Sequence, residues 1–420
     1  MSNQIEVHID TGILVCKVGT LRVHQRGATF EYSDVWREHD ERFAIEPALH
    51  VGPGIITPAG DRSMFGSIGD SAPDTWGRRL MQRRERRAAN KEGRQIRTLT
   101  EADYLLGVTD VARLGGLRFR RAGEQEFLAP LATGQPIPPF IELPRLLSVT
   151  ERVLRDEETD EDLLLLFAPG SSLGGARPKA SIADKDGHLA IAKFPKQDDD
   201  YSIEAWEEVA LTLADMAGID VASHRLEKVA GRDVLVSRRF DRATGTGHRR
   251  AFLSAMSMLG LKDGDKQNAS YPYLVEALQE HGDKSGQDTS ELFRRMVLSI
   301  LISNVDDHLR NHGFLWEPEF KGWRLSPAYD LNPVPRDVKP GVLSTNISLD
   351  EATCSIDLAR ESGEEFFGLS LAEVNSIVRE VAWAVAQWRQ VAQRLQIRPS
   401  EIGRMASAFE HDQLKLALAV

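Results

Sequence analysis

The sequence predicts an α+β protein with a β-rich N-terminal domain and a mainly helical C-terminal lobe. Residues from Ile5 to Phe30 alternate apolar with polar side chains and are interrupted by glycines, which is typical of short strands. Residues 180 to 192 show the same alternation around an Asp-Gly turn, the pattern of a hairpin. Residues 371 to 395 instead repeat their apolar side chains at three and four positions, which predicts one long helix.

The length of 420 residues is too great for one hydrophobic core, so two or three packed units are expected. The strongest linker signal is Gly134 to Pro139, where three prolines in four residues cannot continue a helix or a central strand. We therefore predict an N-terminal domain over 1–138, β-rich and then helical. A small lobe with a glycine loop follows over 139–238, and a helical large lobe over 239–420.

The composition is that of an ordinary soluble globular protein. Hydrophobic residues make up 41% and charged residues 27% of the chain, so disordered, collagen-like and membrane classes are disfavoured. The first residues lack the basic start and apolar run of a secretory signal, and no stretch is long enough to span a bilayer. Cys16 and Cys354 lie far apart in apolar surroundings, which favours buried, reduced thiols and a cytoplasmic location.

The net charge of −11 argues against nucleic-acid binding by the molecule as a whole, but the charges are unevenly distributed. Nine residues between Arg78 and Arg97 are basic, and six of the seven residues from Asp156 to Asp162 are acidic. The basic run is either a solvated helix face or a strip that contacts phosphates or a partner. The acidic run is interpreted as a solvated helix entry.

The densest cluster of reactive side chains lies between Ser303 and Gly313, where an apolar helix is expected to end. Phosphoryl transfer requires a carboxylate that accepts the proton of the attacking hydroxyl and oxygen ligands for Mg²⁺. Asp306 and Asn311 have the spacing of such a loop. Asp330 follows a predicted hairpin and can supply a second oxygen ligand to the metal.

Two other interpretations of this cluster stay open. Asp306 and Asp307 could cap a helix while Asp330 opens a turn. His308 and His312, four residues apart, could instead share a helix face and bind zinc, although no glutamate follows His308 in the zinc-protease pattern.

A second constellation runs from Pro169 to Lys179 and is rich in glycine and serine. Small residues let backbone N–H groups approach phosphate oxygens, and Arg177 or Lys179 can add positive charge. The segment is neither a P-loop nor a protein-kinase glycine loop, so a structural turn is the alternative. Lys193, at the end of the next strand, could contact phosphates and pair with Glu207, or be a surface residue.

Five motifs follow one another along the chain and together resemble the HipA family of toxin kinases. They are Ser172-Leu173-Gly174-Gly175-Ala176-Arg177-Pro178-Lys179, Ala192-Lys193-Phe194-Pro195, Arg239-Phe240-Asp241-Arg242, Asn304 to Asn311, and Pro327-Ala328-Tyr329-Asp330. The resemblance covers most of residues 150 to 335, and the N-terminal 100 residues, with Phe65 to Leu80, are similar to that family's smaller domain. It implies a bilobal kinase-like fold of the HipA type, with ATP in the cleft between the lobes.

The resemblance also implies roles for individual residues. Asp306 corresponds to the catalytic base, and Asn311 and Asp330 correspond to Mg²⁺ ligands that complete the catalytic set. Ser172 corresponds to a serine that family members autophosphorylate, which would add negative charge beside the ATP phosphates and switch the kinase off. The residues expected to bind the nucleotide are Ser172, Gly174, Gly175, Ala176, Arg177, Lys179, Lys193, Arg238, Phe240, His308, Arg310 and Tyr329.

The same resemblance implies partners and a substrate. Family members resemble toxins held by a HipB-like helix-turn-helix antitoxin, which ties the complex to operator DNA, and their targets include aminoacyl-tRNA synthetases. We therefore expect an ATP-dependent serine/threonine protein kinase, the toxin of a toxin-antitoxin module, that phosphorylates a translation-related protein. Arg238 departs from the family pattern, because relatives can be acidic there, which puts side-chain contacts with adenine in doubt.

Two other functions fit parts of the sequence. A small-molecule kinase of the aminoglycoside or homoserine type needs the same Asp and Asn loop, but it would not require the large first domain. A catalytically silent partner that assists repression is the third interpretation, and it is disfavoured because every expected catalytic group is present.

Overall fold

The computed structural model describes residues 4–12, 14–24, 27–128, 137–167, 175–265 and 268–420. The chain divides into two compact units. The first unit combines Met1–Asp198 with Glu227–Leu253, and the second combines Asp199–Leu226 with Ser254–Val420. Small antiparallel sheets and many helices make up these units, which confirms the predicted α+β class.

The first unit opens with the predicted β-rich segment. Four strands form an antiparallel sheet in the order β3-β2-β1-β4. They are β1 (Gln4–Asp10), β2 (Val15–His24), β3 (Gly27–Tyr32) and β4 (Leu117–Arg121). Ile5, Val7 and Ile9 on β1 are all buried, so the alternation in the sequence marks the core face of the sheet.

Six helices accompany this sheet within the described part of the first unit. They are α1 (Asp34–Glu38), α2 (Gly66–Asp70), α3 (Thr75–Glu92), α4 (Glu101–Gly107), α5 (Leu143–Leu154), which follows a 3-10 turn at Phe140–Glu142, and α6 (Asp160–Phe167). Helix α3 begins at the predicted N-cap, where Asp74 Oδ1 accepts a hydrogen bond from the Gly77 backbone N–H at 2.8 Å. It ends at Gly93, whose φ of 64° ends the helix in the left-handed region.

The basic and acidic runs of the sequence meet between α3 and α6. Arg83 Nη1 lies 3.0 Å from Glu158 Oε2, and Arg87 Nε lies 2.6 Å from Asp160 Oδ1. Arg83 also pairs with Asp156. Neither run is therefore simply a solvated face, because each neutralises part of the other within the first unit.

A second antiparallel sheet completes the first unit, with the order β5-β6-β8-β7. Its strands are β5 (Lys179–Ala183), β6 (Leu189–Lys193), β7 (His224–Val229) and β8 (Arg232–Arg238). The predicted hairpin joins β5 to β6, and Gly187 has the φ of 81° that its turn requires. Apolar residues of α5 and α6, such as Val153 and Leu166, pack with Phe194 in the core of this sheet.

The second unit is mainly helical, as predicted. Its helices are α7 (Ile203–Met216), α8 (Ala255–Met258), α9 (Tyr271–His281), α10 (Ser285–Leu301), a 3-10 turn at Leu309–Asn311, α11 (Ile356–Glu365), α12 (Leu371–Ala386), α13 (Trp388–Arg394), α14 (Pro399–Arg404), α15 (Ala406–Phe409) and α16 (Asp412–Ala419). A short strand, β9 (Phe252–Ser254), precedes α8, and β10 (Gly313–Glu317) and β11 (Gly322–Leu325) form the predicted hairpin.

The prediction of one helix over 371–395 is wrong in one respect, because the segment divides at Gln387. The Gln387 N–H bonds to the Ala384 and Val385 carbonyls and closes a tight turn instead of continuing the helix. Trp388 is thereby placed flat against Phe409, with ring centroids 4.7 Å apart. The predicted inward direction of Trp388 is nonetheless confirmed, since its side chain is buried.

Two further expectations concern the cysteines and membranes. Cys16 and Cys354 are both buried free thiols, as predicted. Over the ranges given above, the structure contains no helix long and apolar enough to cross a membrane.

Candidate active site

The loop that follows α10 and the segment that follows β11 lie side by side in the second unit. Four hydrogen bonds join them: Val334 N to Ser303 O (3.2 Å), Asn332 N to Asn304 Oδ1 (3.1 Å), Tyr329 Oη to Arg310 O (2.7 Å) and Ser326 N to Gly313 O (2.8 Å). The partners run in opposite directions along the two segments. Asp330 consequently belongs to the stretch that faces the loop between Asn304 and Arg310.

The end of α10 sets the direction of the loop. Ser303 has a φ of 54°, a left-handed conformation that costs a non-glycine residue roughly 1 kcal/mol or more. Its hydroxyl donates to the Ala408 carbonyl at 2.9 Å, and the Asn304 amide donates to Ser299 Oγ at 3.3 Å. These buried contacts hold the strained turn in place and direct the following residues away from the helix axis.

Asp306 and Asn311 are brought together as their spacing predicts. The Asn311 side-chain amide donates to the Asp306 backbone carbonyl at 3.1 Å. Its Oδ1 is buried and has no hydrogen-bond partner within the described residues. Leaving such an acceptor unsatisfied costs about 1–3 kcal/mol, so this oxygen is suited to a cation.

Asp306 and Asp307 have opposite environments although they are adjacent. Asp306 is exposed, and its carboxylate has no hydrogen bond or ion pair with any residue that the structure describes. Asp307 is only 2% exposed, with Oδ1 3.0 Å from His312 Nε2, and Oδ2 accepts a hydrogen bond from the Tyr271 hydroxyl. Asp306 is thus available for chemistry, whereas Asp307 anchors the loop.

The electrostatics of Asp307 support this anchoring role. Burial would raise the pKa of the Asp307 carboxyl, but the adjacent His312 and the Tyr271 hydroxyl together hold that pKa below its ordinary value. The backbone of the same residue is also fixed, because the Thr345 hydroxyl donates to the Asp307 carbonyl at 2.7 Å. Sequence reasoning missed the contributions of Tyr271 and Thr345, which come from segments with no sequence signal.

Asp330 is held in an unusual backbone conformation. Its φ is 59°, in the left-handed region, and its side chain is partly exposed. The Asn332 side-chain amide donates to both the Asp330 backbone carbonyl (3.1 Å) and the Asp330 Oδ1 (3.2 Å). Strained residues of this kind cluster at functional sites, where the surrounding structure enforces them.

The donor set suits magnesium. A carboxylate from Asp330 and an amide oxygen from Asn311 are hard ligands, and Mg²⁺ typically takes one or two such groups and keeps several waters. No group of three or more His, Cys, Asp or Glu side chains that could hold a metal occurs in the described portion of the chain. His308 and His312 flank the 3-10 turn at Leu309–Asn311 in extended conformations, so they do not share a helix face.

The other predicted nucleotide residues of this unit lie on the same loop or beside it. Arg310 is partly exposed and forms two hydrogen bonds with the Asp263 carboxylate, at 3.0 and 2.9 Å. Tyr329 donates its hydroxyl to the Arg310 carbonyl, as described above. His308 is half-buried, and its Nδ1 has no hydrogen-bond partner among the described residues.

The remaining predicted residues lie in the first unit, and two of them, Ser172 and Gly174, fall outside the described residues. Lys179 Nζ lies 2.9 Å from Asp74 Oδ2. Lys193 stands directly opposite Lys179 in the β5–β6 pairing. These two lysines therefore project from the same face of the sheet.

Three further groups of predicted nucleotide-binding residues lie before β5, at the end of β8 and just after β8. Gly175 has a φ of 89° and leads into Ala176 and Arg177 before β5. Arg238 Nη2 lies 3.3 Å from Asp186 Oδ2 at the hairpin turn. The ring centroid of Phe240 lies 6.1 Å from that of Phe252.

Residues 239 to 242, quoted above only for the resemblance, have a structural role that the sequence did not reveal. Arg239 is fully buried and donates to the Ala112 (2.8 Å) and Arg113 (3.0 Å) carbonyls. Asp241 accepts a hydrogen bond from Gly115 N at 2.7 Å. Burial alone would raise the pKa of Asp241, but Arg239 and Arg242 hold it far below its ordinary value. We call this group, Arg239, Asp241 and Arg242 with residues 111–115, the arginine clasp.

Comparison with known proteins assigns the family. Residues 171–388 match the family model described as the HipA-like C-terminal domain. That match covers more than half of the chain, and the chain therefore belongs to this family.

Individual relatives are more distant. The chain is 26% identical over 180 residues to a Haemophilus influenzae protein named "Putative kinase", an alignment that covers 39% of this chain and 52% of that protein. It is 32% identical over 163 residues to "Putative kinase Y4dM" of Sinorhizobium fredii, covering 36% and 38% respectively. The chain thus aligns with about half, or less, of the length of these curated relatives.

The fold is that of a solved HipA-type protein. A chain in the Shewanella oneidensis MR-1 toxin-antitoxin complex of HipA, HipB and operator DNA matches with a TM-score of 0.67. The two chains are 17% identical, and the match covers 99% of this chain and 96% of the other. The likeness confirms the predicted HipA-type fold.

Proposed function

We propose that this protein is an ATP-dependent serine/threonine protein kinase that uses Mg²⁺. The observation that carries the proposal is the contrast within the loop after α10. There an exposed, unpaired Asp306 carboxylate lies beside a buried, unsatisfied Asn311 oxygen, on a loop bonded to the segment of Asp330. These are the groups that phosphoryl transfer requires: a base for the hydroxyl and oxygen ligands for the metal.

The proposed reaction breaks the bond between the γ-phosphorus of ATP and the bridging oxygen, and forms a phosphate ester with the substrate hydroxyl. Asp306 accepts the proton of that hydroxyl, and ADP leaves with the electron pair of the broken bond. When bound, Mg²⁺ neutralises charge on the phosphates, and Asn311 and Asp330 would hold it. Lys193, Lys179 and the glycine segment at 174–177 would contact the phosphates, with Arg238 and Phe240 at the adenine.

Further parts of the proposal concern regulation and partners. We assign Ser172 as the autophosphorylated residue and a translation-related protein as the substrate. The solved neighbour is a toxin-antitoxin complex with HipB and operator DNA. That neighbour supports a helix-turn-helix antitoxin, and operator DNA through it, as partners of this chain in the cytoplasm.

Transfer of label from γ-labelled ATP tests the proposed function. Purified protein with Mg²⁺ should incorporate phosphate at Ser172, located by mass spectrometry, and Asp306→Ala should reduce the rate by about 10²- to 10⁴-fold. The matched control is Asp357→Ala, because Asp357 is an exposed carboxylate of the same unit whose Oδ1 lies 3.6 Å from Nη1 of its helical neighbour Arg360. Undiminished labelling of the Asp306→Ala protein would rule out the assigned base.

A further inference from the structure

Lys179 is held by a buried carboxylate of the N-terminal segment. Its Nζ lies 2.9 Å from Asp74 Oδ2, and the two side chains are only 5% and 3% exposed. Gly175 lies against the same amine, since a Cβ placed on Gly175 would meet Lys179 Nζ at 3.4 Å. The amine therefore sits between Asp74 and the described end of the glycine segment.

A buried ion pair such as that of Lys179 and Asp74 contributes little net stability to a fold. Removing two charges from water costs several kcal/mol per ion before their attraction is counted, and apolar residues of similar volume often stabilise a fold as well. Lys179 also stands opposite Lys193 in the sheet, where two like charges disfavour the strand pairing. The Asp74 carboxylate thus offsets the repulsion between the two lysine amines. Packing of the sheet alone does not require two lysines at these positions.

The support of Asp74 is rigid. Its other carboxylate oxygen, Oδ1, caps α3, and the Trp76 indole N–H of the same helix donates to the Lys179 carbonyl at 3.1 Å. One helix end therefore contacts both the backbone and the amine of Lys179. Further along α3, the ion pair of Arg83 with Glu158 fixes the helix to the segment that leads into α6.

We propose that Asp74 is a positioning residue that holds the Lys179 amine for the phosphates of ATP. The inference rests on the proposed function, because it assumes that Lys179 contacts those phosphates. A lysine amine is a point charge on a flexible four-carbon stem. A fixed carboxylate and a fixed strand end remove that freedom before the nucleotide arrives, which lowers the entropic cost of binding.

The variant Asp74→Asn isolates the charge. Asparagine caps helices as well as aspartate does, so α3 keeps its first hydrogen bond while the negative charge 2.9 Å from Lys179 Nζ is removed. We expect the dissociation constant for ATP to rise roughly tenfold, because an amine that the carboxylate no longer holds must be ordered when the phosphates bind. Adenosine, which has no phosphate, should bind as it does to the wild type, and Asp74→Glu should recover part of the ATP affinity.

Two further variants complete the design. Lys179→Gln should weaken ATP binding at least as much as Asp74→Asn, and the double variant should be no worse than Lys179→Gln alone. Glu158→Gln is the matched control, because it removes one partner of another buried ion pair of α3. It should lower the melting temperature and leave the ratio of ATP to adenosine affinity unchanged.

Isothermal titration calorimetry with ATP and adenosine decides between the outcomes. An Asp74→Asn protein that binds ATP as tightly as the wild type overturns the inference, as does one that loses affinity for ATP and adenosine equally. A wild type that binds no ATP overturns the proposed function itself, which is a separate result. Loss confined to ATP, with partial recovery in Asp74→Glu, supports the positioning role.

Discussion

Two regions of this chain are dense in charge, and the structure treats them differently. Along α3 several arginines pair with carboxylates of the first unit, as Arg83 does with Glu158 and Arg87 does with Asp160. In the loop after α10, Asp307 is similarly satisfied, yet Asp306 and the Asn311 oxygen are not. Charge density alone therefore does not mark a site. A buried polar group left without an internal partner, such as the Asn311 oxygen, is the better signal, because a folded chain satisfies most of its buried polar groups.

The largest expected effect concerns the unsatisfied oxygen. Under the proposed function, Asn311→Ala should reduce kcat by roughly 100-fold or more and raise the Mg²⁺ concentration needed for half-maximal rate, because the proposed metal site loses one ligand. Stability should change by no more than about 1 kcal/mol, since one hydrogen bond to Asp306 is removed. Initial rates over a magnesium titration provide the measurement. Asn375→Ala serves as control, and an identical magnesium response in Asn311→Ala would remove Asn311 from the metal site.

Substitution of Asp307, whose carboxylate has internal partners, should mainly lower the free energy of unfolding. Asp307→Ala should cost about 3–5 kcal/mol in the free energy of unfolding, because it removes the ion-pair partner of the buried His312 and the acceptor of the Tyr271 hydroxyl. Asp306→Ala should change that free energy by no more than about 0.5 kcal/mol, since Asp306 is exposed. Urea unfolding of both variants makes the comparison. Equal stabilities would contradict the division of the two carboxylates into a base and an anchor.

Along α3, loss of an ion-pair partner should lower the free energy of unfolding more than loss of an exposed charge. Glu158→Gln should destabilise the protein by about 1–3 kcal/mol, because the largely buried Glu158 carboxylate is a charged hydrogen-bond partner of Arg83. Arg86→Glu, on the exposed side of α3, should change stability by no more than about 0.5 kcal/mol. Thermal melts test both. Reversal of Arg83 and Arg87 is therefore a poor probe of antitoxin or DNA binding, whereas Arg86→Glu probes it without breaking α3 from α6.

The smallest effect is a dependence on pH. The hydrogen bond from Arg152 lowers the pKa of Asp162 to about 2. A carboxyl whose pKa is depressed by folding contributes stability above its unfolded pKa and loses it as the pH falls through the folded value. The free energy of unfolding of the wild type should therefore fall as the pH is lowered from about 4 towards about 2. Asp162→Asn should show a shallower fall in that window, and parallel curves would contradict the assignment.

Local patterns predicted much of the fold. The strands of the first sheet, the hairpin at Gly187 and the N-cap at Asp74 all follow from the chemistry of a few neighbouring residues. The break at Gln387 does not, because the apolar period continues through α12 and α13 as if they were one helix. The turn accompanies the packing of Trp388 on Phe409, a contact that the local apolar period does not reveal.

The candidate site was predictable to the same extent. The spacing of Asp306 and Asn311 anticipated their contact. The segment of Asp330 is bonded to the same loop through Asn332, but the place of Asp330 in a shared site stays a prediction. Partners in distant segments could not be anticipated: neither Tyr271 beneath Asp307 nor Asp74 beside Lys179 carries a local signal. Sequence patterns identify reactive groups, whereas the tertiary structure shows which of them are already paired with other residues.

The arginine clasp also bears on how this chain can be divided or recombined. A fragment that begins after residue 138 would retain Arg239 and Asp241 but lose the carbonyls and the N–H of residues 112–115 that satisfy them. Two buried charged groups would then lose those backbone partners, so the sheet of β5 to β8 and the sheet of β1 to β4 have to be expressed together. If the later part of the chain were fused to a different N-terminal domain, that domain would have to supply equivalents of the Ala112 and Arg113 carbonyls and the Gly115 N–H.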